Sequence, residues 1–466
     1  MRNIFTKIGL IGLILLTGIL TVSAQESTTL QFMKGMPQSA LTNPALHNDS
    51  SKVVIGLPGL SGISFGFNSD FAIHDLIHKG TGMLKDSDVW DIENFHGKLK
   101  STNSVELNTS IPLLFLGFRN KKSFFSLGIT EKVVAQVTFD KSLVTFIKDG
   151  NAPYIGQNFD LGKIGINTFG YREYAFGYSN EFLKDKLTIG VKAKFLSGEA
   201  AFHTERMNMK VETAADQSYL NLSTDMDINI SAPVTVKYDE NDYFDGMNGD
   251  NFKAGDYLNQ KGNSGMAFDF GAVYKLTPKI TLSGSIIDLG KISFKKNLIS
   301  MKHTNTYKWD GVDFSNSVDD SKGDYVDPSD LFDNETDKMK DSFKPKKSEF
   351  GAESFDMTLP TKIFLGGTYE VNKIFNVGLL DCIYKNGDVS RNTITASGNA
   401  QLCKFFSLSG SYSNISGSSN VGLGMAMRLG AMQLYFVSDN VLALNDLTKT
   451  ENTNFRFGMN FLFGRN

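Results

Sequence analysis

Few residues of this sequence have the types and spacing that catalysis or metal binding requires. His74 and His78 stand four positions apart, and such a pair would align on one face of a helix as metal ligands do. No Glu lies between them and no third ligand is evident, so a pair on the surface of a helix and loop is the favoured interpretation. No Gly-x-Ser-x-Gly turn occurs in a strand-to-helix context. We therefore predict no catalytic residue, no metal site and no cofactor.

Two stretches are predicted to be long loops, the Gly- and Asn-rich 239–265 and the acid-rich 310–355. Dense carboxylates suggest calcium, which takes several carboxylate oxygens. The acids, Asp313 and Asp319 among them, are irregularly spaced, however, and no DxDxDG-type run with a Glu at a fixed distance is present. A solvated surface loop is favoured, in which the spacing over Pro328–Met339 permits a short amphipathic helix.

The two cysteines, Cys382 and Cys403, do not have the spacing of a metal site. They would form one disulfide if the strands that carry them are hairpin partners in register. Two unpaired cysteines, acting as small apolar residues, are an equally good interpretation.

The first 24 residues have the organisation of a signal peptide. Arg2 and Lys7 precede an apolar run, Ile8–Leu20, and a small-x-small cleavage site ends at Ala24. The run is shorter than the roughly 20 residues that span a bilayer. No cysteine follows it, which excludes a lipoprotein anchor. We expect export, cleavage and a mature chain that begins at Gln25.

Charge and composition exclude one class of partner and favour one class of fold. Removal of two basic residues with the signal peptide takes the net charge from −3 to about −5, and this near-balance gives no electrostatic footprint for nucleic acid. The chain has 37 Phe and 44 Gly against 10 Pro, without a second apolar block of helix length. This composition is typical of a chain of many short strands.

Strict alternation of apolar and polar residues is the dominant pattern. It runs through Leu187–Phe195 and Val421–Leu429, and in the last run it places large apolar side chains at Phe455, Phe457, Met459, Phe461 and Phe463. An open sheet edge cannot face lipid, so such strands must close in a membrane. We therefore predict an all-β fold, a closed antiparallel transmembrane β-barrel of about 14 strands over 52–466, in the outer membrane of a Gram-negative bacterium.

The polar face of the alternating strands is predicted to line the lumen. Its members are Lys186, Lys192, Lys194, Arg428 and Arg456. The lysines would favour anionic or amphipathic solutes there. They would equally suit a ladder that acids on neighbouring strands balance.

The stretch 25–51, before the first strand, is predicted to be a plug. Its part Gln31–Leu46 is apolar without a period and contains two prolines, so it cannot form a strand or a long helix, but it can fill a lumen. A barrel of this size leaves interior space that holds water or a plug. Phe32, Met33 and Met36 are the expected ligand-proximal residues of this plug.

Short motifs carry a resemblance to known families. Asn43-Pro44-Ala45, just before the first strand, resembles the N-terminal signature of FadL-like barrels, which transport long-chain hydrophobic molecules, and of PorV-like secretion barrels. Leu359-Pro360-Thr361-Lys362 and the turn Ser438-Asp439-Asn440 look more like an uncharacterised Bacteroidetes family of unknown function. The resemblance implies an outer-membrane barrel with an inserted N-terminal segment that contains Asn43, Pro44 and Ala45. It implies no substrate.

Two functions are compatible with these features. The first is a plugged, FadL-like passage for a hydrophobic or amphipathic small molecule, whose signature would be an apolar lumenal pocket beside Phe32, Met33 and Met36. The second is an accessory scaffold, as the PorV-like resemblance implies, with a sealed lumen and long loops that bind exported or surface proteins. The expected partners are outer-membrane lipid, the barrel assembly machinery, and such a ligand or exported protein. An enzyme is disfavoured.

Overall fold

The computed structural model describes residues 28–33, 35–46, 51–80, 87–249, 255, 262–312, 326–415 and 417–464. The predicted signal peptide, the acidic residues 313–325 and the chain end after Gly464 lie outside these ranges. Within them, no helix is both long enough and apolar enough to cross a membrane.

The fold is all-β, as predicted, with 64% of the residues in strands and 14% in helices. The strands are β1 (Val53–Gly56), β2 (Ile63–Ser69), β3 (Ile77–Lys79), β4 (Asp88–Trp90), β5 (Thr102–Asn120), β6 (Ser123–Asp140), β7 (Asn158–Phe182), β8 (Leu187–Thr213), β9 (Leu220–Ser231), β10 (Thr235–Tyr238), β11 (Phe244–Asn248), β12 (Ser264–Lys275), β13 (Ile280–Phe294), β14 (Leu298–Trp309), β15 (Phe350–Gly351), β16 (Phe355–Thr358), β17 (Thr361–Glu370), β18 (Phe375–Asn386), β19 (Val389–Cys403), β20 (Phe406–Ile415), β21 (Ser418–Leu429), β22 (Met432–Ser438) and β23 (Asn452–Phe463).

Fourteen antiparallel strands form a closed barrel wall. β1 and β2 together make the first barrel strand, β16 and β17 the eighth, and the others are β5 to β8, β12, β13 and β18 to β23. The last strand, β23, pairs with β1 and β2, which pair with β5 on their other side, so the wall has no open edge. The prediction of a closed barrel of about 14 strands is confirmed.

The wall alternates as the sequence pattern requires, with apolar residues outside and polar residues inside. Large apolar side chains are exposed on its outer face, among them Phe118, Phe176, Phe195, Leu365, Leu379, Tyr412 and Phe457. Between them lie buried polar residues such as Lys192, Lys194, Asn399 and Arg456. An inner face of this kind packs only if its polar groups find partners, because a buried polar group without a hydrogen bond is costly.

The two ends of the barrel differ. At the turn rim, six pairs of successive strands (β5–β6, β7–β8, β12–β13, β17–β18, β19–β20 and β21–β22) are joined by connections of a few residues. The opposite end, the loop rim, carries the long connections. Lys186 lies in the β7–β8 turn, where its side chain is exposed, so it does not line the lumen as predicted. The prediction began the alternating strand one residue too early, because the strand begins at Leu187.

Most helices and a ribbon of paired strands lie at the loop rim; the two short helices of the N-terminal segment, Thr29–Phe32 and Pro37–Leu41, do not. The helices are α1 (Ile73–Leu76), α2 (Ile92–Lys98), α3 (Lys141–Asp149) and α4 (Pro328–Ser342), with short 3-10 helices at Thr29–Phe32, Pro37–Leu41, Ala152–Tyr154, Lys347–Glu349, Leu442–Asn445 and Leu447–Lys449. From Ala201 onward β8 leaves β12 and pairs with β9, which pairs with β14. We call the part of β8 from Ala201 onward, together with β9 and β14, the ribbon. β9 and β14, which alternate as the wall strands do, therefore lie outside the barrel wall.

The two cysteines do not form a disulfide: Cys382 is buried in the lumen wall and Cys403 is half-buried near the turn rim. Their strands, β18 and β19, are hairpin partners, but the register pairs Cys382 with Thr393. Of the two interpretations, the one without a disulfide is correct.

Candidate ligand site in the lumen

The N-terminal segment, residues 28–46 without Lys34, lies inside the barrel. Its apolar side chains are buried in two clusters. Phe32 packs with Ile287, Phe364, Leu380 and Cys382, whereas Met33 and Met36 pack with Leu30, Ala426, Tyr435 and Val437. These side chains fill the space that they face, and the lumenal cavity described below includes none of the three in its lining.

The beginning of the segment is held by a buried carboxylate at the end of β22. Both oxygens of Asp439 accept hydrogen bonds from the segment, Oδ2 from the backbone N–H of Thr28 at 2.8 Å and Oδ1 from that of Thr29 at 2.9 Å. Asn454 Nδ2 donates to the same carboxylate at 2.9 Å. Asp439 is 2% exposed, so these bonds are shielded from water. Charge-assisted hydrogen bonds of this kind are stronger than neutral ones.

The end of the segment is the Asn-Pro-Ala motif, which packs against two glycines of the wall. Asn43 Nδ2 donates to the carbonyls of Ala272 and Gly284 at 3.3 and 3.2 Å. A Cβ on Gly271 would lie 2.1 Å from Asn43 Oδ1, and one on Gly190 would lie 2.3 Å from the carbonyl carbon of Pro44. Only glycine permits this approach. The motif therefore anchors the segment to the wall.

Polar side chains of the wall also hold the middle of the segment. Lys192 Nζ donates to the carbonyl of Ala40 at 3.0 Å, and Ser285 Oγ donates to that of Thr42 at 2.6 Å. Gln38 exchanges hydrogen bonds of 2.8 and 3.0 Å with Asn460. Because the segment forms no regular ladder of its own, these bonds satisfy backbone groups that would otherwise be buried without a partner.

A cluster of buried charges crosses the lumen beside the segment. Lys194 Nζ lies 2.6 Å from both Asp269 Oδ1 and Asp288 Oδ1, and Lys132 Nζ lies 2.8 Å from Glu173 Oε2. The lysines of β8 thus meet acids on neighbouring strands, which was the second of the two interpretations of this row. Every member of the cluster has an oppositely charged neighbour, as buried ions require.

A bulge in β13 places Asp288 in this cluster. The register between β12 and β13 shifts after Phe268, so that Ile287 and Asp288 have no opposite partner in the ladder. Asp288 has a φ of 60°, and its N–H donates to Asp269 Oδ1 at 2.8 Å. Both bulged side chains are buried. A bulge re-aims side chains in this way, and alternation alone would have turned one of the two outward.

The lumenal cavity, about 110 Å³, lies between the segment and the wall. Its charged lining has six basic residues (Lys132, Lys192, Lys194, Lys362, Arg391 and Arg456) and three acidic ones (Glu173, Asp269 and Asp288). The excess of positive charge favours an anionic group. Lys192, Lys194 and Arg456 are thus at the lumen, as the alternation predicts, whereas Arg428 lies towards the turn rim and donates to the carbonyls of Gly430 and Leu462.

Arg456 differs from the other basic residues of the cavity. It is 7% exposed, and its Nη1 donates to the carbonyl of Gly62 at 3.2 Å. Among the residues that the structure describes, no carboxylate lies within ion-pair distance of it, and its Nε has no hydrogen-bond partner. A buried guanidinium with a free donor is poised to receive an acceptor.

The wall is interrupted next to this cavity. The regular ladders of the first barrel strand with its two neighbours stop after Gly56 and resume at Ile63 and Ser64, and between these points a single backbone hydrogen bond to each neighbour remains, from Gly59 to Pro112 and from Met459 to Leu60. We call residues 57–62 the wall break. It passes through the lumen side, because a Cβ on the inward-facing Gly458 would lie 2.6 Å from the backbone nitrogen of Gly62.

The break explains a proline inside a long strand. Pro112 lies in β5 and pairs with Thr130 of β6, but on its other side it faces the wall break and has no partner in a regular ladder. Its carbonyl accepts from the N–H of Gly59 at 2.8 Å. A proline cannot donate to a ladder, so it is tolerated where a partner strand is missing.

A second buried ion pair joins the lumen to the loop rim. Arg391 contacts the carboxylate of Glu106, which is fully buried and also accepts from Gln136 Nε2 at 2.8 Å. Arg391 also approaches Asp70, just beyond β2. Burial opposes the ionisation of Asp70, but hydrogen bonds from Lys100 and Ser104 and the charge of Arg391 together hold its pKa below the ordinary value.

Sequence reasoning missed most of the partners in these networks. Glu106, Asp269, Asp288, Arg391 and Asp439 were not among the predicted site residues. A signal was present, since Asp269 and Glu106 are charges at alternate positions between apolar residues, where a strand of a membrane barrel turns them inward. The sequence held no signal for which of these charges meet.

Comparison with known proteins gives a family. The profile of a family of unknown function, DUF5723, matches residues 44–439. No curated protein matches the sequence.

Among solved structures, the toluene transporter TbuX of Ralstonia pickettii is 9% identical, with a TM-score of 0.41 over 93% of this chain and 99% of that chain. The toluene transporter TodX of Pseudomonas putida is 8% identical, with a TM-score of 0.39 over 94% and 96% of the two chains. A FadL homologue of Pseudomonas aeruginosa is 11% identical, with a TM-score of 0.39 over 95% and 100%. These likenesses concern the fold alone.

Proposed function

The chain belongs to DUF5723, a family of unknown function, and from its own geometry we propose that it is an outer-membrane barrel that passes small anionic amphiphiles through the lumenal cavity and the wall break. The N-terminal segment closes this passage until it is displaced. The observation that carries the proposal is that the cavity reaches the interrupted part of the wall.

Two rows of residues that line the cavity lie next to the wall break. It includes an inward-facing row in register, Ser64, Ser110 and Lys132, next to the break. It also includes the neighbouring row of Phe65, Thr109 and Val133, which alternation turns outward, and the exposed side chain of Val133 is an example. A ligand in the cavity would thus have charged groups on one side and an apolar exit towards lipid on the other.

The outer face of the barrel supports a position in a membrane. Exposed aromatic and aliphatic side chains on many strands would be unfavourable in water, and a contiguous patch of this kind marks contact with lipid or another protein. Closure of the wall satisfies the backbone hydrogen bonds that lipid cannot.

The size of the cavity explains why the segment has to move. Sites for small molecules usually have roughly 300 to 1,000 Å³, whereas this cavity has about 110 Å³. In the proposed mechanism, the arrangement with the segment in the lumen is the closed form. Release of the segment, which is held by discrete polar contacts rather than by a sheet ladder, would open the additional volume that Phe32, Met33 and Met36 occupy.

The experiment is a reversible lock. Thr29 and Gly422 are close enough for a disulfide, because a Cβ on Gly422 would lie 2.7 Å from Thr29 Oγ1, and the hydroxyl of Ser411, 2.1 Å from that Cβ, has to rotate away. The pair Thr29→Cys and Gly422→Cys is made in a background with Cys382→Ala and Cys403→Ala. Transfer of dansyl-undecanoate into proteoliposomes is then measured in the oxidised and reduced states, with Thr29→Cys alone as the control.

We expect transfer in the reduced state and at least a tenfold slower transfer in the oxidised state, with no redox effect on the control. Equal transfer in both states would contradict gating by the segment. Arg456→Gln should weaken transfer, whereas Arg428→Gln, on the same inward face but outside the cavity lining, should not.

A second function, an accessory scaffold for exported proteins, is favoured by one observation. The segment is fixed at its beginning, middle and end by buried hydrogen bonds, which suits a lumen that stays sealed. If neither redox state moves the probe faster than protein-free liposomes, the scaffold becomes the better proposal.

A further inference from the structure

We propose that a pocket on the ribbon, separate from the lumenal cavity, binds a small organic cation with a primary ammonium group, such as a polyamine. The pocket has a volume of about 340 Å³ and is lined by His203, Glu205, Asp227, Asn229, Glu353, Ser354, Phe355 and Asp356. We call it the ribbon pocket. It contains four carboxylates and no lysine or arginine.

Three of the four carboxylates already have partners. Glu205 lies 3.1 Å from His203 Nε2, Glu353 lies 2.9 Å from Lys302 Nζ, and Asp356 contacts Lys291 at 2.5 Å. Two of these pairs, Glu353 with Lys302 and Asp356 with Lys291, join opposite charges at the rim of the pocket. The positive charge that would balance the remaining carboxylate is not among its lining residues.

Asp227 is the remaining carboxylate. It is 9% exposed and lies opposite Arg206 and Lys302 in the two strand ladders of β9, but those two cations pair with Asp225 and Glu353, and in the described part of the chain Asp227 itself accepts no hydrogen bond and has no cation within 4 Å. Asn229, two residues further along the same face of β9, is 7% exposed, and its Oδ1 has no hydrogen-bond partner among the described residues either. One buried acceptor without a donor, Asn229 Oδ1, beside a carboxylate without an ion pair is an arrangement that an ammonium group satisfies.

The wall of the pocket favours an organic cation over a metal ion. Phe355 stacks with His203 at a centroid distance of 5.9 Å and with Phe294 at 5.3 Å, so an apolar stack forms one side. Among the described residues, no group of three or more His, Cys, Asp or Glu side chains is placed to hold a metal. The volume is that of a small-molecule site. An aliphatic amine would place its carbon chain along Phe355 and its ammonium group at Asp227.

The ribbon pocket is separate from the lumenal cavity, and no residue lines both. Phe294 belongs to an apolar cluster with Phe169, Tyr171 and Leu359, and this cluster lies against the side of Phe355 away from His203. The proposal therefore does not depend on transport through the lumen.

The test is titration calorimetry of the purified mature protein in detergent with spermidine. We expect saturable binding that Asp227→Asn weakens at least tenfold. The matched control is Asp225→Asn, the same change two residues earlier on the same face of β9, where the carboxylate pairs with Arg206 at 2.7 Å outside the pocket. This control should bind as the wild type does. Retention of the heat-modifiable folded form on gels shows that each variant is folded.

If Asp227→Asn does not fold, Asn229→Ala provides the second measurement and should weaken binding severalfold. Absence of saturable binding, or equal binding by wild type and Asp227→Asn, would overturn the proposal. Displacement of spermidine by millimolar Ca²⁺ at constant ionic strength would also overturn it, because the pocket would then be a site for a divalent cation. Tetramethylammonium, which has no N–H donor, should not compete.

Discussion

The backbone N–H and the hydroxyl of Thr29 both donate to one oxygen of Asp439, at 2.9 and 2.5 Å. These two residues are 410 positions apart in the chain, and their contact joins the first described residues of the N-terminal segment to the end of β22. The carboxylate of Asp439 accepts all of these hydrogen bonds. Its two oxygens therefore hold the beginning of the segment in the lumen.

Asp439→Asn should therefore loosen the segment. The amide replaces one acceptor oxygen with a donor that faces the N–H groups of Thr28 and Thr29. We expect the labelling rate of Met33→Cys by a membrane-impermeant maleimide, in a background without the two native cysteines, to rise about tenfold, which corresponds to about 1.4 kcal/mol. Asp446→Asn, an exposed change in the same β22–β23 connection, should leave the rate unchanged. An unaltered rate in Asp439→Asn would show that other contacts suffice.

Gly271→Val should displace the Asn-Pro-Ala motif. The new side chain would overlap the side-chain amide of Asn43, and the ring of Pro44, 2.8 Å from a Cβ at this position, leaves it no room on the other side. Overpacking of this kind costs about 1 to 3 kcal/mol, which a lower urea midpoint of unfolding would report. Gly410→Val is the control, since nothing lies within 4 Å of a Cβ at Gly410. Equal midpoints for the two variants would count against the anchoring role of the motif.

Arg391→Met should strongly destabilise the barrel, because it leaves the fully buried carboxylate of Glu106 without its cation. Breaking a buried pair on one side costs about 3 to 5 kcal/mol. The double variant Glu106→Gln with Arg391→Met should recover much of this loss in urea unfolding, since neither charge is then left unpaired. A double variant as unstable as the sum of the two single ones would argue against a direct coupling.

The lowered pKa of Asp70 makes a contribution to stability that depends on pH. Its carboxylate is stabilised in the folded state, so the contribution is present above the unfolded pKa of about 3.9 and is lost as pH falls through the folded value. Wild type should exceed Asp70→Asn in unfolding free energy at pH 6, and the difference should shrink below pH 4. The comparison is made by urea unfolding at both pH values. A difference independent of pH would assign the effect to packing.

Phe457→Arg tests the outer face of the barrel. Phe457 is 39% exposed on β23, and an arginine facing lipid costs about 2 to 4 kcal/mol near the bilayer midplane. We expect a lower yield of folded protein in lipid vesicles. Phe405 lies in the β19–β20 turn at the turn rim and is more exposed than Phe457. Phe405→Arg should therefore fold normally. Normal insertion of Phe457→Arg would contradict the topology.

Local periodicity was enough to predict the class of fold. Alternation is a property of neighbouring residues, so the strand of Phe455 to Phe463 and the inward direction of Lys192, Lys194 and Arg456 are encoded within a few positions. The number of strands followed from counting such runs, although β9 and β14 have the same pattern and lie in the ribbon, because alternation does not state which neighbour a strand pairs with.

Only the tertiary structure decided the details of the candidate sites. The wall break at 57–62, the bulge that turns Asp288 inward, and the exposed position of Lys186 depend on where partner strands end. The contact of Asp439 with Thr29 and the unpaired carboxylate of Asp227 depend on which of many polar residues meet across the closed wall. Residues distant in sequence become neighbours only through the register of paired strands and the closure of the barrel. A local pattern determines which face a side chain lies on, but not which residue of another strand it meets.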